Sequence, residues 1–134
     1  GLMGMAYQDL SADKTPTPFQ NAIAQGTVSE GIFQFFLTKT AGSTGSTLVL
    51  GGFDPKFNST PFNYYPLTEK LYYTISLDKV KVGTTDVSKS KPMKAIIDSG
   101  TSIIVTGLIW ADEIKKAIGK KDCENITSMP DLTF

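Results

Sequence analysis

Asp98 is the one ionisable residue set inside a long apolar run, Ala95-Ile96-Ile97-Asp98-Ser99-Gly100-Thr101-Ser102-Ile103-Ile104-Val105. Most of the other acids stand among Lys, Gly, Ser or Asn, where water solvates them. β-Branched residues on both sides predict two strands packed into a core, with the acid carried at their junction. A carboxylate placed there needs donors, because burying an unpaired charge is costly. The sequence supplies them within three residues: the Ser99 and Thr101 hydroxyls, and backbone N–H groups that Gly100 lets turn inward. Asp-Ser-Gly is also good turn chemistry, Asp closing an Asx-turn and Gly taking positive φ. A solvated acid in a plain hairpin turn therefore stands beside the reactive reading.

The missing residue types narrow the chemistry further. The 134 residues include no His, and all 13 basic side chains are Lys. A Ser or Cys nucleophile has no imidazole to activate it. Zinc sites need several Cys or His, and this chain offers one thiol, Cys123, so no metal is expected. No Gly-rich phosphate loop is present, and no cofactor is expected. The net charge of zero and the scattered lysines exclude a nucleic-acid surface, and no apolar run reaches the length of a membrane span. If the chain is an enzyme, carboxylates carry it. With 40% hydrophobic and 10% aromatic residues, one modest core is the default.

The elements that must position Asp98 follow in chain order. Gly1 to Tyr7 reads as a buried strand end and a turn. Pro16 and Pro18 precede a helix through Phe19–Gln25 that Gly26 closes. Ile32–Leu37 reads as a strand buried largely on both faces, joined by the Gly/Ser loop 41–46 to a partner at Thr47–Leu50. Phe53 to Leu67 is an extended, aromatic-studded connection. Leu71–Asp78 is predicted as an alternating strand with Tyr73, Ile75 and Leu77 on one face. Another short strand, Val80–Gly83, and a polar loop lead to the motif. Thr106 is then expected to cap a helix over Leu108–Ile118, with Trp110, Ala111, Ile114, Ala117 and Ile118 on its buried side and Gly119 ending it. Asn58-Ser59-Thr60 and Asn125-Ile126-Thr127 are glycosylation sequons, Asn58 disfavoured by Pro61, and support secretion only weakly.

The run around Asp98 resembles the second active-site motif of the pepsin-like aspartic proteases: a hydrophobic pair, Asp, Thr or Ser, Gly, Thr or Ser, Ser, then more hydrophobics. The resemblance extends over residues 1–134. It implies a mostly β, bilobal acid-protease fold, with 1–52 as the end of the first lobe, 53–67 as the inter-lobe connection and 68–134 as the start of the second lobe. Gly1-Leu2-Met3-Gly4 is similar to the segment that passes behind the first catalytic loop. By the same resemblance Asp98 is one member of a catalytic pair, supported by Ser99, Gly100 and Thr101. Tyr72, Ile96, Ser102 and Ile103 would contact substrate. Cys123 matches a family cysteine that pairs with another further downstream, although a buried free thiol fits its isolation too.

What the resemblance implies chemically is peptide hydrolysis at acidic pH, next to large hydrophobic side chains. Two close carboxylates share one proton; one activates a water and the other polarises the peptide carbonyl. No second Asp-Thr-Gly or Asp-Ser-Gly occurs in this sequence. The expected partners are thus a protein or peptide substrate and the remainder of the protease, an upstream part with the first Asp and a downstream part completing the second lobe. Abrupt ends and the solitary Cys123 favour an incomplete chain, and pairing of two copies, as in retroviral proteases, is disfavoured. A secreted, lysosomal or vacuolar location is implied. The rival is a pepsin-like binding protein without catalysis, of the inhibitor or allergen kind. A third possibility is an unrelated β-rich domain with Asp98 in an ordinary turn, exposed and with an ordinary pKa.

Overall fold

The computed structural model describes residues 1–57, 60–88, 92–119 and 123–134, the side chains of 123–125 excepted. Asn58, Cys123 and Asn125, as a glycosylation, disulfide and glycosylation candidate, lie outside the described side chains. The chain forms two compact units, Gly1–Tyr65 and Pro66–Phe134.

In the first unit, helix α1 (Pro18–Ala24) starts where the prolines place it. Thr17 caps it reciprocally: its Oγ1 accepts from Gln20 N at 3.3 Å, while Gln20 Oε1 accepts from Thr17 N at 3.0 Å. Phe19, the buried residue of this helix, meets the Phe33 ring edge-on with centroids 5.3 Å apart. Phe33 opens β1 (Phe33–Phe36), which pairs antiparallel with β2 (Thr47–Leu50) from Phe33 opposite Leu50 to Phe36 opposite Thr47. The expectation of burial on both faces fails, since Phe35 and Phe36 stay 40% and 36% exposed. A two-stranded ribbon has too few neighbours to cover both faces. Past β2, Phe57 stacks on Phe36 and Phe53 meets Phe62 edge-on, so the aromatic connection does pack its rings. The predicted strand end at Gly1–Tyr7 is absent, and Leu2 is fully exposed. No described strand pairs with it, and an unpaired strand leaves its backbone groups to water.

The second unit holds β3 (Leu67–Lys70), β4 (Tyr73–Leu77), β5 (Lys81–Val82), β6 (Thr85–Asp86), β7 (Met93–Ile96), α2 (Leu108–Ile118) and β8 (Leu132–Thr133). They make two antiparallel three-stranded sheets, ordered β3-β4-β7 and β6-β5-β8. Leu71 and Tyr72 are a turn between β3 and β4 rather than strand, because Leu67–Lys70 folds back on β4. Tyr73, Ile75 and Leu77 share a face as predicted, but Thr74 on the opposite face is the most buried residue of the strand. Gly83, at φ 57°, begins the two-residue turn from β5 to β6. The core here is small: Val80, Val82 and Val87, with Ile114, Ala117 and Ile118 of α2 laid over them. Gly119 ends α2 at φ 74° as expected. Its N-cap is Gly107 rather than Thr106, and no side chain caps that end.

Candidate active site

The β7 strand delivers Asp98. Its register against β4 runs from Met93 opposite Leu77 to Ile96 opposite Thr74, and Ile97 N adds a last rung by donating to Tyr73 O at 2.9 Å. One residue later the chain leaves the sheet, so the carboxylate stands just past an anchored strand end. The predicted second strand does not follow. Residues 97–107 have no regular structure, and Ile103, Ile104 and Val105 are 72%, 64% and 74% exposed. A strand needs a neighbour to complete its ladder, and among the described residues none is available to this segment.

Asp98 is consequently exposed instead of buried, but it is not an idle turn acid. Its Oδ2 accepts from Thr101 Oγ1 at 2.5 Å and its Oδ1 accepts from Gly100 N at 2.8 Å. These two bonds, the Thr101 hydroxyl foremost, hold its pKa below the ordinary carboxylate value; partial desolvation opposes them weakly. Among the described residues no neighbouring charge takes part in that shift. The donors are thus Gly100 and Thr101, while Ser99 does not reach the carboxylate. Gly100 does not adopt the positive φ that the turn reading anticipates. Its value is closeness, since a Cβ built there would sit 3.2 Å from Asp98 Oδ1.

A groove of about 1160 Å³ opens beside the carboxylate. Asp98, Thr101, Tyr72, Ile96, Ser102 and Ile103 all line it, so six of the residues singled out from sequence come together; Ser99 and Gly100 are not on its wall. Ile75 of β4 and Trp110 and Ile114 of α2 form another part of that wall. Sequence reading treated these three as core positions only. The signal was present in the i, i+4 spacing of Trp110 and Ile114, which puts both on one helix face. Among the described residues no cluster of three or more His, Cys, Asp or Glu could hold a metal ion, and no helix is long and apolar enough to cross a membrane.

The sequence pattern of the eukaryotic aspartyl proteases matches this chain over residues 1–134. The chain belongs to that family. It is 32% identical over 144 residues to cathepsin D of Clupea harengus, 34% over 143 residues to cathepsin E of Mus musculus and 32% over 139 residues to pepsin A of Gallus gallus. Each match takes in all of this chain but only 36%, 36% and 38% of the relative's length, respectively. Membership overturns the idea of an unrelated β-rich domain. It also gives the mostly β architecture, with its Asp-Ser-Gly-Thr turn at a strand end, its place as part of a pepsin-like aspartic protease fold.

Proposed function

We propose that the protein is an aspartic endopeptidase that cleaves peptide bonds beside large hydrophobic side chains at acidic pH, with Asp98 as one of two catalytic carboxylates. The observation that carries this reading is the carboxylate of Asp98 itself, gripped by Gly100 N and Thr101 Oγ1 at the edge of an apolar groove. Two donors favour its charged form, which suits it to the role of base. In the reaction Asp98 takes a proton from a water, and the oxygen of that water bonds to the carbonyl carbon of the scissile peptide. The second carboxylic acid gives its proton to the carbonyl oxygen. Collapse of the tetrahedral species then breaks the C–N bond, the amine leaving with a proton and the other half as a carboxylic acid. Ile96 and Ile103 wall apolar subsites, Ser102 meets the substrate backbone, and Tyr72 lines the cleft beyond the scissile bond. Ser99 ties the two active-site loops together.

The second carboxylate comes from the remainder of the protease. Coverage of little more than a third of the relatives supports that assignment, with residues 1–52 ending the first lobe, 53–67 connecting and 68–134 beginning the second. The whole protein works in a secreted, lysosomal or vacuolar setting. A catalytically silent binding protein is less favoured, because the donor pair on Asp98 serves no binding role that a neutral residue would not fill. The test uses the whole protein and a denatured protein substrate at acidic pH. Cleavage should occur, be blocked by a statine-type inhibitor, and fall about 10²- to 10⁴-fold in Asp98→Asn, the range of a lost general base. Asn can still accept from Gly100 N and donate to Thr101 Oγ1, so its loop stays in place. Turnover that survives the substitution, or inhibitor binding without turnover, refutes the proposal.

A further inference from the structure

Away from the groove, one carboxylate oxygen collects both donors of a buried residue. Ser88 is 2% exposed. Its N donates to Asp86 Oδ1 at 2.9 Å, and its Oγ donates to the same oxygen in a short bond. Ser88 Oγ also accepts, at 3.4 Å, from Val80 N, while Val80 O accepts from Val87 N at 2.9 Å. Asp86 itself is exposed, so the polar chain from Asp86 through buried Ser88 to Val80 joins the surface to the edge of the Val80, Val82 and Val87 core on which Ile114, Ala117 and Ile118 of α2 rest.

We propose that this Asp86–Ser88 pair is an acid-sensitive clasp, which locks the β5–β6 corner beneath α2 while Asp86 is ionised and loosens it on protonation. A charged acceptor makes the stronger hydrogen bonds, and a buried hydroxyl deprived of a good partner is destabilising. The groups around Asp86 favour its charged form. The two Ser88 bonds, the hydroxyl foremost, hold its pKa below the ordinary carboxylate value; desolvation opposes them, and the Lys79 and Lys81 charges add smaller pulls in the same direction as the bonds. Lys81 is its partner across β5. From the other elements on this core, Asp131 before β8 is exposed, and Glu113 of α2 is paired with Lys116 at 3.1 Å. A lowered folded-state pKa means stability that is present above the unfolded value and lost as pH falls through the folded one. The clasp therefore stays shut through the pH at which an ordinary aspartate titrates and yields only below it, loosening the seat of α2, which carries Trp110 of the groove wall. This inference does not depend on catalysis.

The test compares the whole protein with its Asp86→Asn variant in urea unfolding, followed by hydrogen exchange of the Val80 and Val87 amides, which the clasp should protect. Near neutral pH the variant should lose about fivefold or more in its folding equilibrium. That difference should shrink to nothing below the titration of Asp86. A difference that persists unchanged at low pH, or none at any pH, overturns the clasp. Should the variant not fold, NMR on the unmodified whole protein decides: the Val80 and Ser88 amide resonances must titrate together with the Asp86 carboxyl carbon, and independence of the two refutes the proposal.

Discussion

Gly100→Ala isolates what the glycine contributes to Asp98, the carboxylate proposed to be catalytic. Gly100 has no positive φ, so alanine meets no backbone penalty there. Its methyl would lie 3.2 Å from Asp98 Oδ1, closer than comfortable carbon–oxygen contact, so that oxygen has to retreat by a few tenths of an ångström. The bond from Gly100 N, now 2.8 Å, then stretches towards the outer limit of useful N–H···O geometry. Misplacing a catalytic group by about 1 Å costs on the order of 10²-fold, so a shift of a few tenths should lower kcat/KM by roughly three- to tenfold. The weakened donor also lets the pKa of Asp98 rise towards its ordinary value. The acid limb of the pH–rate profile, which reports the carboxylate that must be ionised, should move to higher pH. The assay is kcat/KM on a quenched-fluorescence peptide across the carboxylate titration range, with circular dichroism to confirm the fold. An unmoved acid limb with an unchanged rate would show that the close approach of Gly100 does not govern Asp98.

Two further substitutions probe the same chain of support. Thr101→Val removes the largest contributor to the lowered pKa of Asp98 while keeping the side-chain shape, so its acid limb should move further up in pH than that of Gly100→Ala, and Thr101→Ser should restore it; identical profiles for Val and Ser would refute the hydroxyl's role. Val82→Ala strips two methyl groups from a residue only 4% exposed. About 0.8 kcal/mol for each, plus the cavity left behind, gives roughly 2 kcal/mol, or a urea midpoint lower by about 1 M. A shift within experimental scatter would mean that the valine cluster does not anchor α2.

The parts legible in the sequence were those decided within a few residues. The α1 cap depends on Thr17 and Gln20, three positions apart, and the end of α2 on Gly119 alone, so local chemistry sufficed. The β1–β2 pairing was also readable, as two apolar runs around a Gly/Ser loop. The environment of Asp98 was not local in this sense. Ile103, Ile104 and Val105 are the kind of run that reads as a buried strand, but a strand's burial is conferred by what pairs and packs with it, and the described residues contain no such neighbour. The turn of Leu71 and Tyr72 was missed for a related reason: Thr68 and Glu69 look too polar for a strand until Leu67–Lys70 is seen as an edge of the sheet.

That contrast bears on how the site is built. The donor geometry on Asp98 is complete within residues 98–101, while the apolar wall of Ile96, Ile103 and Ile104 remains open to water. Orientation and charge state are thus properties of the turn, set by two hydrogen bonds whose donors are covalently close. Desolvation is a property of whatever covers the groove, and it is desolvation that raises a carboxylate's pKa and forces two acids to share a proton. An exposed Asp98 with a depressed pKa fits the proposed half-site: the turn holds its carboxylate charged and oriented, and in that proposal a second carboxylate brought beside it would supply the proton and the repulsion. On the proposed mechanism, substitutions at Gly100 and Thr101 should therefore shift the acid limb, assigned there to Asp98, and leave the alkaline limb, assigned to the protonated partner, where it was.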